Sequence, residues 1–302
     1  MTYSIVARDP QTGQFGVAVQ SHYFSVGPIV PWAMAGVGAV ATQSLVEPAY
    51  GPGGLRLMAA DRSAPEALAE LLAADEGSRV RQVAMVDARG VVAVHTGEKC
   101  IPAAGHVTGD GFSCQANMML NDTVWAAMGA AYVAARGDLA ARLLAALLAA
   151  EGEGGDIRGR QSAALLVVAG IDTGKPWPTG DVIVELRVED HPDPLGELGR
   201  LLDLQRAYDH AEEFDRREEA GDTEGALKAI LAAEQIAPDN LEIRFWKAVT
   251  LATKGREDEA RAILVGVYRD GADWAELLRR LPGVGLAPDD PELIARLTAP
   301  PD

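Results

Sequence analysis

Apolar and polar positions alternate from the start of the chain. TYSIVAR and QFGVAVQS flank DPQTG, whose Asp, Pro and Gly mark a turn, so the pair predicts a β-hairpin. PIVPWAMAGVGAVATQS is apolar and glycine-rich and predicts a strand buried on both faces. From Tyr50 to Asp75 the period lengthens to that of a helix. YGPGGLRLMAAD and SAPEALAELLAAD carry apolar residues at helical spacing, and Ser63 with Glu66 makes a capping box with Pro65 in the first turn. RQVAMVDARGVVAVHTG alternates around Asp-Ala-Arg-Gly and predicts a second hairpin, and GHVTGDGFSCQAN continues in strand and turn composition. Helices are expected from about Asp122 to Arg136 and from Asp138 to Glu151, followed by strands in QSAALLVVAG and DVIVELRVED around the turn IDTGKPWPTG. Helices arriving in pairs argue against a doubly wound parallel sheet. They fit an α+β fold over residues 1–190: two mainly antiparallel sheets stacked face to face with a helical layer outside each, an αββα sandwich.

After HPDP the pattern is helical only, over residues 191–302. A helix is expected near Leu195 to Ala220. AGDTEGA (Ala220–Ala226) then recurs as KGREDEA (Lys254–Ala260), so Gly221 and Gly255 stand 34 residues apart, with Pro238 between the units. That period and those residues are the tetratricopeptide pattern, which predicts stacked helix hairpins that bind or dimerise and do no chemistry.

Composition narrows the function. Of 302 residues 48% are hydrophobic, enough for two cores, but only 5% are aromatic, so layers must pack through small side chains. The formal charge is -17, split as -7 over residues 1–190 and -10 over the shorter tail. An acidic surface without a basic stripe repels phosphate backbones, so no nucleic-acid partner is expected. The most apolar stretch, Leu139 to Ala150, is about half a membrane span and contains Arg142, which reads as a buried helix. With no basic, apolar leader pattern at the start, no membrane partner and a cytoplasmic location are the expectation. Cys100 and Cys114 do not make a disulfide framework. His95, Cys100, His106 and Cys114 follow one another at gaps of four, five and seven residues, matching no zinc signature, so neither metal nor cofactor is expected. Cys100 lacks an activating group nearby in sequence. YGPGGLRL lacks phosphate-loop spacing and a lysine, so it reads as a tight turn.

Thr2 is the first candidate for chemistry. Removal of Met1 would leave a hydroxyl and a free α-amine on one residue. An α-amine, with an unperturbed pKa of about 7.7–8.0, can take the hydroxyl proton near neutral pH. The bland alternative is a cytoplasmic protein that runs from Met-Thr straight into a strand. His22 is open between a supplementary acid–base and a loop residue satisfied by backbone. Gln115 and Asn117 share parity on an extended segment ahead of a helix, where they could hold an oxyanion or cap the helix. Asp156, Arg158 and Ser162 precede a buried strand and read as site residues or as a solvated turn.

MTYSIVARDPQTGQFGVAVQSHYFSVGPIVPWAMAGVGAVATQS, HTGEKCIPAAGHVTGDGFSCQANMM and RGRQSAALLVV together resemble the bacterial family catalogued as domain of unknown function 1028, grouped with the N-terminal nucleophile hydrolases. The resemblance covers roughly Met1 to Asp190. It implies the four-layer sandwich and amide hydrolysis by an N-terminal threonine, without implying a substrate. On it, Thr2, Asn117 and His22 would be catalytic, and Ser21, Gln115, Asp156, Arg158 and Ser162 would face a small-molecule amide. The Asp and Lys that proteasome-like members place near the nucleophile have no counterpart around Gln20, Ser21 and His22. The tail resembles an extension of some members labelled as peptidoglycan-binding, while its repeat points to a homo-oligomer or a protein partner. The competing expectation is a catalytically inactive, ligand-binding sandwich with a helical docking tail.

Overall fold

The computed structural model describes residues 2–174, 181–271 and 273–299. Two compact units divide between Arg200 and Leu201. The first begins with the hairpin β1 (Thr2–Arg8) and β2 (Phe15–Ser21), then β3 (Pro31–Met34), β4 (Gly38–Ser44), α1 (Tyr50–Ala59) and α2 (Ala64–Ala74). β5 (Arg81–Asp87), β6 (Val92–Thr96), β7 (Gly105–Gly109) and β8 (Phe112–Asn117) follow, then α3 (Val124–Ala134), α4 (Leu139–Gly152), β9 (Ser162–Val168) and β10 (Val182–Val188). Part of the turn expected in IDTGKPWPTG, residues 175–180, lies outside the described residues.

The strands form two sheets, ordered β10-β9-β2-β1-β8-β7 and β3-β4-β5-β6, with antiparallel neighbours throughout. Val6, Val17 and Val19 of the larger sheet meet Ala39, Ala41, Ala84 and Val86 of the smaller one. Alternation puts these residues on facing sides, and the alanines let the sheets close without bulky rings. On the far side of the smaller sheet, Leu55 and Met58 of α1 and Leu68 of α2 bury against Val40, Val83 and Met85. The capping box of Ser63 and Glu66 starts α2. α4 packs across β1, β2 and β9, with α3 beside it on β7 and β8. The result is a four-layer αββα sandwich with β1 near the middle of the larger sheet.

One expectation is corrected. PIVPWAMAGVGAVATQS is not a single buried strand but the hairpin β3–β4, with Gly36 at φ 71 in the turn. A continuous apolar run does not reveal where a chain reverses, and here a glycine that tolerates positive φ supplies the reversal.

The second unit is helical. α5 (Pro194–Glu219) enters it, followed by α6 (Thr223–Ile236), α7 (Leu241–Thr253), α8 (Glu257–Asp270), α9 (Trp274–Arg280) and α10 (Pro291–Leu297). The repeated glycines explain the period. Gly221 (φ 76) stands between α5 and α6, and Gly255 (φ 74) between α7 and α8, each in the left-handed conformation that ends a helix. Phe245, Leu264, Val267 and Leu278 form one of its cores.

Candidate functional site

Strand alternation builds the site at the head of β1. Thr2 stands opposite Ser21 of β2 on one side and Asn117 of β8 on the other. Thr2, Ser4, Ser21, Gln115 and Asn117 therefore share the face turned to the second sheet. Tyr3 points the other way, where its hydroxyl donates to Glu151 at the end of α4. Burial, reinforced by that carboxylate, pushes the Tyr3 phenol well above its ordinary pKa.

Across the sandwich, β4 and β5 contribute Gln43 and Gln82, and the amides interlock. Gln43 Nε2 donates to Gln82 Oε1 at 2.7 Å and to the Thr2 carbonyl at 3.1 Å. Its Oε1 accepts from Ser4 Oγ at 2.7 Å. Asn117 Nδ2 donates to Gln82 Oε1 at 2.9 Å and reaches the Thr2 carbonyl at 3.4 Å. Gln115 Nε2 donates to the Ala41 carbonyl at 3.1 Å, while its Oε1 is buried without a hydrogen-bond partner. A buried amide costs little only when its donors and acceptors are met. This network accordingly fixes the backbone of Thr2 from both sheets.

The Thr2 side chain is nearly buried, 6% exposed, and its Oγ1 donates to Ser21 Oγ at 3.0 Å. Both residues border a cavity of about 190 Å³ whose other walls include Val26, Ile29, Val30, Gln43, Leu45, Val46 and Arg158. Asp156 lies behind Arg158. Its fully buried carboxylate accepts from Arg158 Nη2 at 2.8 Å and Nε at 3.1 Å, and from the His22 backbone N–H at 3.1 Å. Ile157 N–H donates to the Met118 carbonyl just past β8. Because His22 follows β2 and Met118 follows β8, residues 156–158 cross the open end of β1, in front of Thr2.

Of the residues singled out in the sequence, Thr2, Ser21 and Arg158 border the cavity, with Asp156 as the partner of Arg158. Asn117 and Gln115 point into the amide layer instead. His22 Nδ1 lies 3.1 Å from Gln161 Oε1. Ser162 accepts from Val26 N–H at 3.2 Å and donates to the Tyr23 carbonyl at 2.6 Å, which fastens the loop that forms one cavity wall. Gln43 and Gln82 escaped the sequence reading. Their signal was a glutamine adjoining the apolar part of a strand, as in AVATQS and RQVAMV.

His95, Cys100, His106 and Cys114 have separate partners or surroundings. His95 Nε2 meets the Ser78 carbonyl, His106 Nδ1 meets Thr96 Oγ1, and Cys100 Sγ contacts the Arg81 carbonyl. Burial, with His95 nearby, pushes the His106 imidazole down. Among the described residues no three His, Cys, Asp or Glu side chains gather closely enough to hold a metal, and no helix is long and apolar enough to cross a membrane.

Comparison with known proteins places this geometry. A family profile described as a family of unknown function, DUF1028, matches residues 2–198. The chain belongs to the DUF1028 family. A crystal structure from Silicibacter pomeroyi, itself titled as a DUF1028 protein, is similar at 32% identity and a TM-score of 0.60, covering 67% of this chain and 87% of that one. A tetratricopeptide-repeat profile matches residues 218–281, downstream of the DUF1028 match. No curated protein matches the chain. The whole Thr2 cavity thus lies within the DUF1028 match.

Proposed function

We propose that the DUF1028 domain is an amide hydrolase of the N-terminal nucleophile type, acting through Thr2 once Met1 has been removed. One observation carries the reading: Thr2, at the head of a central strand and held by amides from both sheets, turns its hydroxyl to the floor of a cavity. In the proposed reaction Thr2 Oγ1 attacks the substrate carbonyl carbon while the Thr2 α-amine takes the hydroxyl proton. Gln43 and Asn117 position Thr2 for this attack through its carbonyl, to which each donates. The C–N bond then breaks, the proton passes to the departing amine, and an ester on Thr2 remains. Water, deprotonated by the same α-amine, cleaves that ester to a carboxylic acid and restores Thr2 Oγ1–H. The Asp156–Arg158 pair in front of β1 supports a polar, pre-organised setting for the amine.

The test uses protein shown by intact mass to begin at Thr2, assayed on a panel of small amides. Thr2→Ser retains measurable turnover, and Thr2→Ala loses about a thousandfold or more, the usual scale for removing a nucleophile. Equal rates for wild type and Thr2→Ala refute the reading. Retained Met1 would leave no free amine on Thr2 and no activity by this route.

A second reading has its own support. The helical unit carries grooves of about 320 and 330 Å³, larger than the Thr2 cavity though more open, and its repeat is of a kind that commonly binds proteins. The tail would then be a docking module, and the domain it follows a ligand-binding one. Ligand binding without turnover by wild-type protein starting at Thr2 would favour it.

A further inference from the structure

We propose that the Thr2 cavity takes an uncharged, apolar acyl group, so that the substrate class is amides of aliphatic or simple aromatic acids. The chemistry of this proposal rests on the hydrolase reading above, while the binding does not.

The cavity is lined by a polar group around the nucleophile, by five aliphatic side chains, and by Tyr23 and Arg158. Thr2, Ser21, Gln43 and Ser44 lie at the nucleophile end, and Val26, Ile29, Val30, Leu45 and Val46 make the walls. Tyr23 and Leu45, both cavity residues, are 57% and 51% exposed. Large apolar side chains left in water at the border of an apolar cavity are surface that a ligand's apolar body would cover. Arg158, the one basic side chain among the described lining residues, is held in a two-point bond by Asp156. A substrate carboxylate entering here would lose its water against aliphatic walls, with the Asp156 carboxylate behind the Arg158 guanidinium, and that desolvation disfavours it.

The volume sets the scale. About 190 Å³ exceeds the ~150 Å³ that suffices for benzene in an apolar protein cavity, so a ring or a short chain fits. The walls are also fixed in advance. Ser162 ties both Tyr23 and Val26, and Ser25, at φ 55, donates its N–H to the Glu189 carbonyl. Ser44 sits at φ 75 directly after Gln43. Two non-glycine residues in the left-handed region show that the surrounding structure determines the shape of this rim.

Two arms test the proposal. In the first, Thr2→Ala protein is titrated with acetamide, butyramide, hexanamide and adipamate (hexanamide's analogue with a terminal carboxylate) by ligand-observed NMR. Affinity rises about fourfold per methylene, the equivalent of ~0.8 kcal/mol, and adipamate binds at least about tenfold more weakly than hexanamide because its charge is desolvated. Leu45→Asp, at a half-exposed position, removes the chain-length preference, and an unchanged melting temperature certifies its fold. In the second arm, wild-type protein starting at Thr2 hydrolyses the matching anilides, with kcat/KM following the same order. Flat affinity along the series, or tighter binding of adipamate, overturns the acyl-pocket proposal whatever the turnover. A rising series with no turnover of any anilide leaves the pocket standing and overturns the hydrolase reading instead.

Discussion

Replacing Gln82 by leucine keeps the approximate side-chain volume but removes an amide buried between the sheets. Gln82 Nε2 donates to Thr96 Oγ1 at 2.9 Å, the Gly105 carbonyl at 3.1 Å and the Ala116 carbonyl at 2.9 Å. Its Oε1 accepts from Gln43 at 2.7 Å and Asn117 at 2.9 Å. Part of this loss is cushioned, because Gln43 and Asn117 keep the Thr2 carbonyl and Thr96 keeps His106. What remains is two main-chain carbonyls, Ala116 in a buried bond and Gly105 in a part-buried one, and two half-satisfied buried amides. At ~1–3 kcal/mol for a buried group left unsatisfied, the substitution costs about 3–5 kcal/mol. That is a large share of the ~5–15 kcal/mol by which proteins are stable. Hydrogen exchange of β1, β4, β5 and β8 amides in the full chain is the suitable assay, since it reports on the sandwich separately from the helical tail. The opening free energy of these strands falls by about that amount, while amides of α7 and α8 keep their protection. A drop below about 1 kcal/mol would show that the sheets do not depend on the amide layer, and the argument that it fixes Thr2 would fail with it.

Asp75 and Arg81 form a largely shielded pair, 19% and 18% exposed in their side chains, which Tyr50 joins through its hydroxyl. The Arg81 hydrogen bond, with Gly77 N–H and Tyr50 adding to it, holds the Asp75 carboxyl below its ordinary range. A carboxyl whose folded pKa is lowered contributes stability above its unfolded pKa of about 3.9 and loses it as pH falls through the folded value. The melting-temperature gap between wild type and Asp75→Asn is therefore full at pH 6 and closes progressively below about pH 4. Asp87 accepts from Ala64 N–H at the start of α2 and from Arg89 and Val91 N–H in the β5–β6 turn. Asp87→Ala strands these donors and lowers stability by about 2–3 kcal/mol in urea unfolding followed by the circular dichroism of the whole chain. Burial raises the Cys114 thiol far above its ordinary range. Iodoacetamide at pH 8 therefore leaves Cys114 unmodified in the native protein and labels it after denaturation, as read by mass spectrometry.

Local chemistry determined the elements of this protein. Period-2 alternation dictates the hairpins, and helical spacing with Ser63 and Glu66 dictates α2 and its start. Gly221 and Gly255 dictate where helices must stop, because each is a residue that can hold the left-handed conformation without strain. Parity along β8 also made Gln115 and Asn117 point the same way. Parity could not say into what, since a face has no identity until another layer covers it. The tertiary structure decided that, by laying β4 and β5 over β1 and β8. Gln43 thereby meets Thr2 across 41 residues and Gln82 meets Asn117 across 35, and the loop from Tyr23 to Val30 comes to line one cavity with Leu45 and Val46. Short-range sequence signals carry the backbone's own preferences. A buried polar network and the cavity beside it belong to pairings between distant strands, whose registers are set by the packing of the whole sandwich.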